Sequence, residues 1–185
     1  MPYVADDILP VNIDIQYHDD YIEITRRWRS WGTTIKAVVF IGAGYLLLNN
    51  FIIPNPDGAL VKNPFFLFFI VLSIGSIYAA VAGLLNTSSI VVSKDTLEIR
   101  HKPLPWPGNK KVNVEDVKRL YTKEKISRDS DKTATITYQV YIVTRNGKDI
   151  KFVSRLEKSE QATFIEREIE KYLGIKKEDV HDGLG

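Results

Sequence analysis

Two long apolar runs constrain this chain more than any other feature. Thr33 to Ile53 reads TTIKAVVFIGAGYLLLNNFII and Phe65 to Leu85 reads FFLFFIVLSIGSIYAAVAGLL. As helix, roughly 20 such residues cross about 30 Å of hydrocarbon. Between Ala37 and Ser93 only Asp57 and Lys62 are charged, although the 185-residue chain carries 25 Lys+Arg and 23 Asp+Glu. Its mean hydropathy of -0.12 therefore averages two unlike materials, a neutral apolar block and a highly charged one. The second run has no charge and no polar stripe, whereas a helix lying on a soluble core keeps a hydrated face. The expectation is two transmembrane helices, at 33–53 and 65–85.

The first run is not expected to be a cleaved signal, because residues 1–32 are too long and too charged for an n-region and no small-residue cleavage site follows. Between the runs, Pro54 to Pro64 (PNPDGALVKNP) is turn chemistry too short for a domain, so the spans are expected to run antiparallel around an external loop at 54–64. Arg26, Arg27, Arg29 and Lys36 precede the first span and Lys94, Arg100 and Lys102 follow the second, which places both termini in the cytoplasm. Lys36 can run its stem along lipid to the headgroups. Trp28, Trp31, Tyr45, Phe65 and Phe66 suit interfacial anchoring. Gly75, Ala79 and Gly83 make a small-residue stripe at i, i+4, i+8 that admits a second helix, either the first span through Gly42 and Gly44 or a helix of a partner. Neither span contains Asp, Glu, His or Arg, which argues against a proton or ion path.

The charged block alternates with period two. Val11, Ile13, Ile15 and Tyr17, then Asp19-Asp20, then Ile22 and Ile24 predict an N-terminal strand hairpin within 1–32. Beyond the membrane, Ile90 to Ser93 and Leu97 to His101 flank a Lys94-Asp95 turn, and Val112 and Val114 open a third strand. Val117 to Ile126 continues in strand or a short turn, and Ile136 to Thr144 is the strongest strand. Asn146-Gly147 then signals a hairpin into Ile150 to Val153. Lys123 to Lys132, of mixed charge and no pattern, reads as the tip of a hairpin. The period then changes: Ala162, Ile165, Ile169, Tyr172 and Leu173 share a helical face, Glu166, Glu170 and Lys171 lie elsewhere on the wheel, and Gly174 stands where a left-handed cap belongs. Residues 86–175 are thus expected to form one mainly antiparallel α+β domain whose C-terminal helix covers an open end or face of the sheet, with 176–185 a frayed tail.

Chemistry-bearing motifs are absent from the sequence. No cysteine excludes disulfides and thiolate metal sites, His18, His101 and His181 are scattered, and a formal charge of +2 excludes a strongly basic nucleic-acid binder. Asp19-Asp20, Glu115-Asp116 and Glu178-Asp179 sit in turn-like or terminal contexts that favour solvated caps over catalysis, so no catalytic residue, cofactor site or metal site is expected. The most individual segment is Arg100 to Lys111, RHKPLPWPGNKK. Its three prolines before Gly108 bar it from a central strand and stiffen the loop around Trp106. Trp106 either folds back to plug the end of the β domain or stands out as an aromatic anchor for a partner, rimmed by Arg100, Lys102, Lys110 and Lys111. The four cations could instead meet anionic lipid.

Two spans, strands, a basic turn, more strands and a closing helix resemble bacterial membrane proteins with a pleckstrin-homology-like (PH-like) domain. The residues carrying the likeness are Thr87-Ser88-Ser89-Ile90-Val91-Val92, Leu97-Glu98-Ile99-Arg100, Asn113-Val114-Glu115-Asp116-Val117 and the closing helix. Arg26-Arg27, Trp106-Pro107-Gly108-Asn109-Lys110-Lys111 and Tyr172-Leu173-Gly174 are also similar to the two-span photosystem I assembly factors of thylakoids. From that family the chain departs at Trp28-Arg29-Ser30 and at the inserted Pro103-Leu104-Pro105. The resemblance implies a non-enzymatic protein of the bacterial cytoplasmic membrane, or of a thylakoid if photosynthetic. Its PH-like domain would bind a protein partner or a second copy and help assemble a membrane complex, with an anionic-lipid module as the alternative.

Overall fold

The computed structural model describes residues 9–28, 31–52, 54, 63–128 and 134–175. Most of the connecting loop 54–64, Arg29, the hairpin tip 129–133 and the tail with Glu178-Asp179 and His181 lie outside the described residues. The same holds for the side chains of Trp31, Lys36, Phe65 and Phe66. The chain is α+β, and the described residues form eight strands and three α-helices: β1 (Ile13–Tyr17), β2 (Tyr21–Arg27), α1 (Trp31–Leu47), α2 (Pro64–Leu85), β3 (Thr87–Ser93), β4 (Thr96–Lys102), β5 (Lys110–Asn113), β6 (Val117–Arg128), β7 (Ala134–Thr144), β8 (Asp149–Leu156) and α3 (Ser159–Leu173). They fall into two compact units: residues 1–26, 89–100 and 108–185 form one, and residues 27–88 with 101–107 form the other.

In the first unit one sheet runs in the order β1-β2-β3-β4-β5 and a second in the order β6-β7-β8. The N-terminal hairpin, whose relation to the later strands the sequence leaves open, is part of the same sheet as β3 to β5. Because β2 and β3 are neighbours, the two helices stand in the chain where a turn between adjacent strands would be. Period-two alternation sets which residues face inward: Ile22 and Ile24 of β2, Ile90 and Val92 of β3, and Leu97 and Ile99 of β4 are buried. They meet Leu120, Val140, Ile142, Phe152, Val153 and Leu156 of the second sheet in one core. Val114 does not continue the third strand. It begins a single 3-10 turn, Val114–Asp116, with its N–H donated to the Asp95 carbonyl.

Helix α3 packs on β6, β7 and β8 and contributes Ala162, Phe164, Ile165 and Ile169 to the core. It starts where Gln161 Oε1 accepts the N–H groups of Glu157 and Lys158 at 3.1 and 3.4 Å. It ends at Gly174, whose φ of 66° is the left-handed conformation that glycine adopts without a Cβ clash. Its polar face is not solvated as the wheel suggests, since Glu166, Glu168 and Glu170 are all buried. Two of them are held by hydroxyls, Thr122 donating to Glu166 at 2.6 Å and Tyr17 to Glu168 at 2.9 Å. These bonds, with Gln161 Nε2 donating to the Val11 carbonyl and the Tyr172 hydroxyl to that of Asp20, tie the helix to both sheets.

In the second unit α1 packs against α2. One helix among the described residues, over Leu67–Leu85, is long and apolar enough to cross a membrane. The apolar part of the first run is shorter, Ala37–Asn50, because Lys36 precedes it and Asn49-Asn50 end it, and the run closes in a π-helical turn at Leu48–Ile52. The seam between the helices also differs from expectation. Gly75 and Ala79 are exposed, and a Cβ at Gly75 or Gly42 would meet nothing within 4 Å. The close approach is at Gly44, where a Cβ would lie 2.6 Å from Ile77 Cδ1, with Ala37 and Ala80 buried nearby in the sequence of each helix. Spacing reveals a small-residue stripe but not which side of the helix meets its neighbour. Gly44→Leu is accordingly expected to lower stability in detergent by roughly 1 to 3 kcal/mol through overpacking, while Gly75→Leu leaves it near wild type. Thermal melts of the two variants in one detergent check the ranking, and the reverse order would refute this seam.

Candidate functional site

The segment Arg100 to Lys111 divides between the two units. Arg100, Lys110 and Lys111 belong to the β unit, while Lys102 and Trp106 belong to the helical unit. Arg100 is engaged by Glu98, with Nε and Nη2 donating to its carboxylate at 2.7 and 2.9 Å, and this pairing raises the guanidinium pKa. Lys110 donates its ammonium to the Lys151 carbonyl and so ties β5 to β8. Partial burial, then the neighbouring Lys151 charge, push its pKa down. Lys102 and Lys111 are exposed. Of the four cations read as a basic rim, two are therefore already committed within the β unit.

Trp106 belongs to the helical unit. It is half-buried, edge-on to Trp28 with ring centroids 5.4 Å apart and stacked on Tyr78 at 6.3 Å and 8°. The knot has a polar spine. Asn86, the residue after α2, is 1% exposed. Its Oδ1 accepts the Leu104 N–H at 2.8 Å, and its Nδ2 donates to the Leu104 carbonyl at 3.0 Å. Its own carbonyl accepts the Trp28 N–H at 3.1 Å. The Trp28 indole donates to Ser88 Oγ at 2.7 Å, and that hydroxyl lies 3.0 Å from His101 Nδ1. The Tyr78 hydroxyl donates to the Pro105 carbonyl. An indole N–H only donates, so Ser88 accepts from Trp28, and its hydroxyl links that ring to the imidazole.

Two features escaped the sequence reading. Arg26, counted there as a topology charge, occupies the next inward position after Ile22 and Ile24 and is 9% exposed. Its Nη1 and Nη2 donate to the carbonyls of Ser154 and Arg155 of β8, at 3.2 and 2.5 Å. Burial lowers its pKa, Glu157 opposes that shift and Arg155 adds to it. Arg155 itself has a φ of 59°, an uncommon conformation for a residue with a side chain. The periodicity was the available signal.

The second feature is a ribbon. Lys123 to Arg128 is strand rather than tip, paired with β7 in unbroken register from Leu120↔Ile142 to Arg128↔Ala134. Its two faces differ. One carries Tyr121 stacked on Tyr141, with Tyr121 donating to Asp149; burial and then that bond raise the Tyr121 pKa. The other continues the core-facing row Leu120, Thr122, Glu124 to Ile126, which opposes Ile136. That last apolar pair is 58% and 46% exposed.

Among the described residues no group of three His, Cys, Asp or Glu could hold a metal, and a shallow depression is lined by Val117, Lys118 and Arg145. Asp19-Asp20 and Glu115-Asp116 are exposed in turns. No protein-family model matches the chain, and no curated protein matches it.

Proposed function

We propose that this is a non-enzymatic integral membrane protein. In this reading α1 and α2 cross the membrane as a hairpin with both termini on the cytoplasmic side. The β unit is a PH-like domain interrupted by that hairpin, and it binds a protein partner to help assemble or stabilise a membrane complex. The membrane assignment is supported by what the helices leave uncovered. Val38, Val39 and Ile41 of α1 and Phe68, Val71, Leu72 and Ile74 of α2 are all 46% exposed or more, a far larger apolar surface than a soluble monomer carries. The 22 residues of α2 rise about 33 Å. For α1 the π turn carries the helix from Trp31 through Ile52, also about 33 Å of rise. The order of strands and the closing helix support the PH-like reading.

The observation that carries partner binding is the ribbon. An exposed cross-strand pair, Ile126 and Ile136, on the sheet face that it shares with Thr122 and Glu124, has the apolar centre and polar neighbour of an interaction site. The test is the double variant Ile126→Lys/Ile136→Lys, purified beside the wild type in mild detergent. The expected result is an unchanged melting temperature with loss of a stoichiometric partner by about tenfold or more, the equivalent of ~1.4 kcal/mol. Equal recovery of the partner by both proteins would refute the ribbon as its site. The absence of any partner with the wild type would refute the assembly role.

A further inference from the structure

We propose that the loop His101–Pro107 is a membrane-inserted collar, lying in the boundary between headgroups and acyl chains beside the last turns of α2. This deepens the preceding reading and rests on α2 crossing the membrane. The occupant is therefore lipid rather than a protein.

The first argument is position. Leu104 is clamped at Asn86, where α2 ends, but the chain then turns back along the helix, so that Trp106 stacks on Tyr78. Tyr78 precedes Leu85 by seven residues, which is about 10 Å of helix rise. If lipid began only at the level of Tyr78, the remaining helix from Pro64 would rise roughly 21 Å, too little for the hydrocarbon core. The loop consequently shares the depth of helix surface that must lie in the membrane.

The second argument is chemistry. Backbone within lipid is tolerated where its polar groups are satisfied internally. Pro103, Pro105 and Pro107 have no N–H to satisfy. The Leu104 N–H and carbonyl both go to the Asn86 side chain, the Pro105 carbonyl accepts the Tyr78 hydroxyl, and the Lys102 carbonyl accepts Thr87 Oγ1 at 3.5 Å. Residues 103–107 carry no charge, and Pro103 and Pro105 are exposed. Trp28, Trp106 and Tyr78 are the residue types enriched at membrane interfaces, and Lys102, at the loop's entry, has a stem long enough to reach headgroups.

Because the chain has no cysteine, single nitroxide labels test the depth directly. The full chain is reconstituted in phosphatidylcholine vesicles with labels at Pro105→Cys, at Leu72→Cys on the exposed face of α2, and at Lys94→Cys in the β3–β4 turn. Collision with oxygen is compared with collision with a water-soluble nickel chelate. The ratio at Pro105 is expected to approach that at Leu72 and to exceed that at Lys94 by about fivefold or more, as for an interfacially buried site. Pro103→Cys, on the same loop, gives a second reading should the first variant misfold. A lipid-like ratio at Leu72 with a water-like one at both prolines overturns the collar alone. A water-like ratio at Leu72 overturns the crossing of α2 and the collar together.

Discussion

Replacing Arg26 by alanine is expected to lower the stability of the β unit by about 3 kcal/mol, through loss of the two bonds that its guanidinium donates to the carbonyls of Ser154 and Arg155. Both bonds are part-buried, and an acceptor left unpaired where water is excluded costs roughly 1 to 3 kcal/mol. The native arrangement is not free of cost, for burial disfavours the charge and Nε has no hydrogen-bond partner among the described residues. A buried charge of this kind contributes less than its bonds suggest, yet breaking it from one side is expensive. Arg26→Lys keeps the charge but not the fork, and is expected to fall between wild type and alanine. Arg27→Ala, at the exposed neighbour, should change stability by no more than about 0.5 kcal/mol. Thermal melts in mild detergent read the series, with a fall on the order of 10 °C expected for Arg26→Ala. Equal melting of Arg26→Ala and Arg27→Ala would show that Arg26 is a topology charge after all.

The same residue shows what the sequence could and could not reveal. Strands and the closing helix were legible because their signals are local: alternation in β2, β4 and β7, the Asn146-Gly147 turn, the change of period at Ala162, and a glycine at the left-handed cap. Arg26 obeys the alternation too, but a cation beside an apolar run has a simpler explanation as a membrane boundary. The carbonyls that make its burial tolerable lie far along the chain, at Ser154 and Arg155. The buried glutamates of α3 follow the same logic. A helical wheel marks Glu166 as polar, and only the fold brings Thr122 within 2.6 Å of it.

The ribbon failed to show for a different reason. Lys123 to Arg128 has little intrinsic strand pattern of its own, and it is extended because β7, rich in β-branched and aromatic residues, supplies a ladder along its whole length. Tertiary pairing thus carries the strand read over Val117 to Ile126 on through Arg128, and it leaves Ile126 and Ile136, the end and the start of two expected strands, exposed. The candidate surface was consequently missed, while the segment that did stand out, Arg100 to Lys111, divides between two units. Its prolines keep residues 103–107 out of strand, although Arg100 to Lys102 end β4, which lies inside the sheet. They carried no information about Asn86, the residue that determines where the loop goes.

Asn86 accordingly carries the second large expectation. Asn86→Ala should release the loop, because one side chain satisfies both the N–H and the carbonyl of Leu104 while remaining 1% exposed. Two buried backbone groups would lose their partners together, a cost of about 3 kcal/mol. The effect is local, since the Trp28 N–H bonds the Asn86 main chain, which alanine retains. Asn86→Asp separates the two bonds: its carboxylate still accepts from Leu104 N–H but faces the Leu104 carbonyl without a donor, so it should be as damaging as alanine or more. Trp106 reports the outcome. Edge-on to Trp28 and stacked on Tyr78, it should give a near-ultraviolet circular dichroism band that Asn86→Ala abolishes. Far-ultraviolet signal from the β unit should persist, because Asn86 is not one of the residues of its core. An unchanged tryptophan band in Asn86→Ala would mean that ring stacking alone holds the loop, and the polar clamp would then be an accompaniment rather than the cause of its course along α2.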